Sequence, residues 1–450
     1  MGFGRAGWLG EQCSNVNREA DLVEAERRPA LEIWHRNRRA IAPDAGAGLT
    51  WVKRTEARSA ITSRMDYDIA IVGGGPIGLA FARSLAGFGL KLAIIERQPL
   101  AALARPDYDG REIALSQRSV RILDDLGVRH LLPPGGVASL AAAHVLNGGA
   151  KRALVLDPAR RRRELGKMVS NQDLRRALFE GVAGQDGLDW LVERDVEGIA
   201  FEPASAALSL NDGRTLRTPL VVAADGRLSQ TRQAFGLGAE MNALGRSMLV
   251  VKVAHEHDHG QIATEWFDHG QTLALLPLQP RQSSFVLTLG DREIRELCAL
   301  PPAALAAELE RRSKRRWGSI TLLSEPFRYP LVTTFAHRFV APRAALIGDA
   351  AVGMHPVTAH GFNLGIQGQA TLARQLAESA RRGSDLGDLR PLRRYEQRHR
   401  LLCRPVFEAT NHIVSLYTDE RPHARALRGA LLGLGARTRL PRTMIGTMLA

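Results

Sequence analysis

Gly73, Gly75 and Gly78 follow the strand-like run YDIAIV and open the helix-like run GLAFARSLAGFG. This G-x-G-x-x-G loop constrains the fold more than any other feature of the chain. Gly73 permits the tight turn, Gly75 lets the backbone approach a pyrophosphate, and Gly78 lets the helix pack close to the sheet. The helix N-terminus then presents unpaired N–H groups and the positive end of its dipole to phosphate. A second strand, KLAIIE, follows that helix and ends in Glu96. An acid at that position accepts from ribose hydroxyls. Strand, helix, strand and terminal acid in this order specify a dinucleotide-binding unit of an α/β protein. The loop alone fits NAD or FAD equally well.

A second glycine-rich stretch, LIGDAAVGMHPVTAHGFNLGIQG, begins far downstream at Leu346. A short apolar run ends there in Gly348-Asp349, and small residues, a His-Pro pair and further glycines precede a helical pattern. So few bulky side chains cannot build a core, so the segment is expected to grip a ligand by its backbone. Between the two loops, SQRSVRILDDLG reads as a helix stopped at Gly127, and NQDLRRALFEGVAG as a helix capped by Asn171. AALSLNDGRTLRT reads as a β-hairpin about an Asn-Asp-Gly turn, and PLVVAADG as a buried strand running into Asp225-Gly226. Residues 240–340 hold further strand patterns and a charged helix around Leu305–Lys314.

The 450 residues suffice for two or three domains, and no apolar run is long enough for a membrane-spanning helix. Three cysteines without metal or CxxC spacing suit a reducing, cytoplasmic compartment and offer no metal site. The net charge of +14 is concentrated at one end: from Arg374 onward 15 Arg and no Lys stand against 7 Asp and Glu, a surplus of 8. These arginines are interleaved with apolar residues at helical spacing. That pattern suits an anionic membrane surface or an ordinary solvated helix face, and no nucleic-acid module accompanies it. Residues 1–64 alternate charge without periodicity and are too acidic for a transit peptide. They are expected to be a poorly ordered extension ahead of a start at Met65, with a targeting or partner-binding arm as the alternative.

DGRLSQTR (residues 225–232) and GDAAVGMHPVTAHGFNLG (residues 348–365) resemble two motifs of the flavoprotein aromatic-hydroxylase monooxygenases. DGREIALSQRSVRILDDLGV, LGKMVSNQDLRRALFEGV and YPLVTTFAHRFVAPRAALIGDAA narrow the resemblance to the FAD-dependent hydroxylases of ubiquinone biosynthesis, of the UbiH and UbiF type. HPVTAHGFNLG is similar to the UbiM group within them. The resemblance covers nearly everything from Met65 onward. It implies a Rossmann-like FAD-binding domain with an interleaved, mostly antiparallel β-sheet substrate domain and C-terminal helices. The expected boundaries are 65–240 and 341–385 for the two parts of the FAD-binding domain, 241–340 for the substrate domain and 386–450 for the helical region.

The same resemblance implies FAD as cofactor, held by Gly73, Gly75, Gly78, Glu96, Arg111, Gln172, Arg175, Asp225, Gly348, Asp349, Gly361 and Asn363. For Arg111, Gln172 and Arg175 the alternative is a helix cap and surface ion pairs. NAD(P)H is the implied electron donor and O2 the co-substrate, with a flavin hydroperoxide transferring oxygen to a polyprenylated phenol or benzoquinol. His360 is the candidate catalytic residue, polarising or deprotonating a phenol, or positioning it. His355 is expected to cap the turn before Pro356. A membrane surface, touched through Leu427–Leu449 on the inner face, and a ubiquinone-biosynthesis complex are the further partners implied. The chain departs from the family pattern at Val352, at Ala359-His360-Gly361 and at Gly368, where relatives carry His, a Gly-Gln-Gly run and an acid. Those departures leave open a flavin hydroxylase or reductase for another aromatic or isoprenoid substrate, or a non-catalytic flavoprotein subunit.

Overall fold

The computed structural model describes residues 65–148, 154–156, 164–268 and 270–418. The first half runs β1 (Ile69–Val72), α1 (Pro76–Ser84), β2 (Leu92–Glu96), α2 (Leu100–Ala104), β3 (Glu112–Ser116), α3 (Gln117–Asp125), β4 (Val137–Leu140), β5 (Ala142–Asn147), β6 (Leu154–Leu156), β7 (Gly166–Ser170) and α4 (Asn171–Val182). Then come β8 (Leu188–Val192), β9 (Val196–Phe201), β10 (Ala206–Leu210), β11 (Thr215–Thr218), β12 (Leu220–Ala223) and α5 (Gln230–Ala234). The second half runs β13 (Ala239–His255), β14 (Ile262–Asp268), β15 (Gln271–Pro277), β16 (Gln282–Gly290), α6 (Asp291–Cys298), α7 (Pro302–Arg312), β17 (Ile320–Leu322) and β18 (Phe327–Ala336). It closes with β19 (Val340–Ala341), β20 (Ala344–Leu346), β21 (Val352–Gly353), α8 (Gly361–Arg381) and α9 (Leu389–Thr418).

Two large sheets organise these elements. In the first, the strand order is β19-β20-β12-β1-β2-β8, with β20, β12, β1, β2 and β8 mutually parallel. Its strands IAIV, LAIIE and LVVA are continuous apolar runs, as a parallel sheet covered on both faces requires. The second sheet is mostly antiparallel, ordered β21-β18-β13-β16-β15-β14-β5-β6, with β17 also paired to β13 and only β14 and β5 parallel. A small antiparallel sheet, β3-β7-β4, lies beside it. The hairpin expected about Asn211-Asp212-Gly213 is present as β10 and β11.

Two local expectations are corrected. The cap of α4 is Ser170, whose hydroxyl accepts from the Asp173 N–H, and Asn171 is the first helical residue. Asn171 instead donates to Asp109 Oδ2 at 2.8 Å. The charged helix starts and ends earlier than expected, at Pro302 and Arg312. Pro suits the first helical position because its missing N–H would be unpaired there anyway. Beyond Arg312 the chain turns over, with Lys314 and Arg315 both at positive φ.

α9 seals the core against α8. Tyr395 Oη donates to the Leu346 carbonyl at 2.7 Å and Glu396 accepts from the Phe339 N–H at 2.7 Å. His399 is 3% exposed and stacks on Tyr395, and burial pulls its pKa down to about 4, so the ring is neutral. The unusual Gly368 of α8 has its explanation here: a Cβ at that position would lie 2.5 Å from His399 Nε2. Gly368→Ala is expected to lower stability by about 1–3 kcal/mol through overpacking. The thermal midpoint would show a clear drop in the wild-type background and little drop in His399→Ala. Equal drops in both backgrounds would mean that the ring is not what requires Gly368.

Candidate active site

The first glycine loop leaves β1 and enters α1, and its three glycines answer to different neighbours. Gly73 has φ +110°, and a Cβ there would lie 2.6 Å from the Ala224 carbonyl oxygen. A Cβ at Gly78 would strike the Gly73 carbonyl oxygen. A Cβ at Gly75 would meet nothing within 4 Å. The protein's own backbone therefore demands Gly73 and Gly78, whereas Gly75 faces open space at the N-terminus of α1. Glu96, at the end of β2, accepts from the Gly74 N–H at 2.7 Å and from the Gln98 N–H at 2.9 Å. Its carboxylate is thus fixed against the loop.

Arg111, Gln172 and Arg175 lie around the same opening. Arg111 donates through Nε and Nη2 to Asp109 and its guanidinium lies 5.4 Å from the centre of the Tyr329 ring. It also feels the charge of Asp349 from the second glycine stretch. Gln172 ties its segment down by donating from Nε2 to the Pro106 carbonyl at 2.9 Å. The half-buried Arg175 has no direct hydrogen bond or ion pair among the described residues, though Asp109, Arg111, Glu96 and Asp107 all act on its charge.

The second glycine stretch closes on the first from the other side. Gly348 sits at φ +61° with its missing Cβ turned to Ile77 of α1, and a Cβ at Gly365 would lie 3.0 Å from Ile77 Cδ1. Ser84 Oγ donates to Gln369 Oε1 at 2.9 Å, a second tie between α1 and α8. Asn363 holds the start of α8 in place: its Oδ1 accepts from the Ser116 N–H, and its Nδ2 donates to the Ala114 and Ala359 carbonyls. A Cβ at Gly361, the first residue of α8, would meet nothing within 4 Å. His360 is buried just before it, after Ala359 at φ +52°. His355 caps the turn as expected, its Nδ1 accepting from the Val357 N–H at 3.1 Å. Burial, aided by Arg227 and Arg246, pulls its pKa to about 4 and keeps it neutral.

Asp225 is engaged locally, accepting from Ser229 Oγ and the Thr231 N–H. Its neighbour Arg227 is the residue that sequence reading missed. Arg227 Nη2 donates to Asp349 at 3.0 Å and Nη1 to the Val332 carbonyl at 2.7 Å. The buried Arg232 donates to the Ala350 carbonyl at 3.0 Å. Two arginines thus strap the segment at 225–232 to the segment at 348–350. The only signal for Arg227 is that it follows Asp225-Gly226; no spacing predicts so distant a partner in the chain.

Beside this double grip the large sheet shows two unlike faces. One is sealed under α6 and α7, with Leu249, Val251, Val253, Phe285 and Leu287 all at 0% exposure. On the other, Met248, Lys252, Glu265, Thr272 and Val286 are only half-buried. Tyr329 belongs to that open face and donates to the Asp109 carbonyl at 2.6 Å, joining it to the Arg111 loop. Glu112 of β3 faces the same region: burial raises its pKa to about 7, Lys252 offsets this in part, and Asp173 and Asp109 add to it. The site therefore combines backbone and cationic groups suited to a diphosphate with a neighbouring sheet face that is only partly covered.

The FAD binding domain family matches residues 66–409. Ubiquinone hydroxylase UbiM of Neisseria meningitidis is 41% identical over 373 residues, covering 82% of this chain and 81% of that protein. The chain belongs to the FAD-dependent hydroxylases of ubiquinone biosynthesis. Ubiquinone hydroxylase UbiL of Rhodospirillum rubrum is 34% identical, with 83% and 86% covered, and the 3-demethoxyubiquinol 3-hydroxylase of Escherichia coli is 31% identical, with 74% and 85% covered. Among solved structures, p-nitrophenol 4-monooxygenase PnpA of Pseudomonas putida shares the fold at a TM-score of 0.67 and 17% identity, covering 85% of this chain and 96% of its own. PqsL of Pseudomonas aeruginosa, described as a probable FAD-dependent monooxygenase, does so at a TM-score of 0.64 and 24% identity, covering 78% and 94%. The protein is an FAD-dependent monooxygenase, and the open space at Gly75 and the unpaired Arg175 fit that cofactor.

Gly75→Ala is expected to leave the thermal midpoint of the apoprotein unchanged while FAD affinity falls at least tenfold; Gly78→Ala should lower the midpoint itself. Thermal melts and flavin titrations of the two variants separate these outcomes, and equal melting losses would contradict the division of roles. For Glu112 the sign follows from a folded-state pKa above its unfolded value. The wild-type apoprotein loses stability as pH rises from 4.5 towards about 7. Glu112→Gln should therefore match wild type near pH 4.5 and exceed it by up to about 3 kcal/mol at pH 8 in urea unfolding. A gain of equal size at both pH values would remove burial of the charge as its cause.

Proposed function

We propose that the chain hydroxylates the aromatic ring of a polyprenylated phenol or benzoquinol in ubiquinone biosynthesis, with NAD(P)H as electron donor and O2 as oxygen source. The open face of the large sheet, bordering the double glycine grip, is the observation that carries this reading. The names of the relatives, ubiquinone hydroxylases and a demethoxyubiquinol hydroxylase, support the substrate class.

In this reading Gly73–Gly78, Glu96 and Arg175 hold the adenosine diphosphate half of FAD. Asp349 accepts from the ribityl chain, with Gly348 and Asp225 shaping its approach. Arg111 and Gln172 border the phosphates or the flavin. Gly361 and the N-terminus of α8 face the flavin ring, and Asn363 keeps that helix end in register with β3. Bound FAD supplies hydride acceptance and oxygen activation. The chain itself orients the ring, excludes water through the packed sheet and helix layers, and places His360 to hold or move the substrate's phenolic proton.

A substrate with a prenyl tail resides in a bilayer. No helix among the described residues is long and apolar enough to cross a membrane. Contact with the inner face of the membrane is therefore assigned to the basic segment Leu427–Leu449, which lies outside the described residues, with a biosynthetic complex as a further partner. The test is the purified holoenzyme given NADH, O2 and a short-tailed or long-tailed quinol precursor, the latter in liposomes. Wild type should hydroxylate both, and His360→Ala should retain FAD but lose turnover. Deletion of Arg421–Ala450 should spare the short-tailed reaction and abolish liposome binding. A flavin that bleaches with NADH yet hydroxylates neither precursor would overturn the substrate assignment.

A further inference from the structure

The open face of the large sheet carries an acid that none of the roles above uses. Along β14, Thr264 and Trp266 turn to the sealed side, and Glu265 between them turns to the opposite, partly covered face. Strand register places Glu265 beside Val145 of β5 and Ala274 of β15, and Ala274 in turn beside Val286 of β16. Farther along the same face, Ala143, Ala263 and Leu276 pack on Leu140 and Met168 of the small sheet and on Leu165 just before β7. Glu265 is half-buried on this face, flanked by the apolar Val145 and Ala274.

Its surroundings are unusual for an acid. Among the described residues no cation and no hydrogen-bond donor meets its carboxyl, and burial alone raises its pKa to about 8. A half-buried carboxyl without a partner weakens a fold when charged, because the desolvation of its charge is not offset. A structural role would have supplied an arginine or a backbone N–H, as happens at Asp385, which the Arg343 guanidinium grips. Held neutral, a carboxyl offers an O–H donor and a C=O acceptor side by side. A phenol or hydroquinone hydroxyl, itself donor and acceptor, matches that pair.

We propose that Glu265 is a substrate-recognition residue that hydrogen-bonds a ring hydroxyl or carbonyl oxygen of the aromatic substrate. The assignment rests on the hydroxylase reading above and adds a specificity to it. Neutral hydroxylated rings are accepted, whereas a ring carboxylate at this position would set two acids against one another and is disfavoured.

The experiment uses FAD-loaded full-length protein and a water-soluble benzoquinol carrying a single prenyl unit. Anaerobic binding is read from the perturbation of the flavin absorbance, and turnover from product. Glu265→Leu should keep its FAD and melt no lower than wild type, since it removes an uncompensated acid. It should bind the quinol roughly tenfold or more weakly, the size of one lost hydrogen bond to a buried group. Glu265→Gln retains a donor and an acceptor and should recover most of the affinity. Binding by Glu265→Leu equal to wild type overturns the Glu265 assignment alone. Weak binding accompanied by a lowered melting point in both variants also overturns it, in favour of a structural role. Absence of any quinol-induced perturbation in wild type overturns both the assignment and the substrate reading beneath it.

Discussion

Ile77, at the start of α1, is gripped between two glycines from a distant part of the chain, Gly348 and Gly365. Everything else in the site depends on that contact. It lets the N-terminal ends of α1 and α8 converge, so that two glycine-rich stretches from opposite ends of the domain sequence border one opening. A Cβ at Gly365 would push α8 away from α1, and one at Gly348 would push the turn at 348–350 away from it, parting the two halves. The two arginine straps, Arg227 to Asp349 and Arg232 to the Ala350 carbonyl, reinforce the same closure from the β12 side.

The large sheet expresses a division between stability and function. Its sealed face is apolar and fully packed, and contributes the transfer free energy that any such core contributes. Its open face keeps Glu265 and the nearby Glu112 partly enclosed, at a cost in desolvation that a purely structural sheet would avoid. Proteins retain such groups where a ligand completes them. The neutral His355 and His399 belong to a different category. Each is buried with a packing or capping task, and neither holds a charge that a ligand could use.

The basic surplus at the C-terminal end divides in a comparable way. Arg400 lies over the rings of Phe335 and Phe339, and Arg404 lies over Phe335 while pairing with Glu240 and Glu408. Arg381 covers Phe88. These arginines hold helices to the core through their planar, weakly hydrated heads. They are therefore engaged with the core and are not free to form a separate basic stripe.

Local chemistry was enough to reveal much of this protein. Turn, phosphate approach and helix packing each require a glycine for a reason that acts within a few residues, so Gly73, Gly75 and Gly78 were legible at once. The caps and stops at Gly127 and His355, and the hairpin about Asn211, were legible on the same grounds. The motifs around Asp225 and Gly348 pointed to FAD, but only through resemblance. Tertiary structure decided the rest, because the deciding partners are far apart in the chain. Asn363 meets the Ser116 N–H, Arg227 meets Asp349, and Gly368 makes room for a ring on α9. Strand register alone turns Glu265 to the open face and its neighbours Thr264 and Trp266 to the sealed one. A one-residue alternation is visible in sequence, but which of the two faces is sealed depends on where α6 and α7 pack.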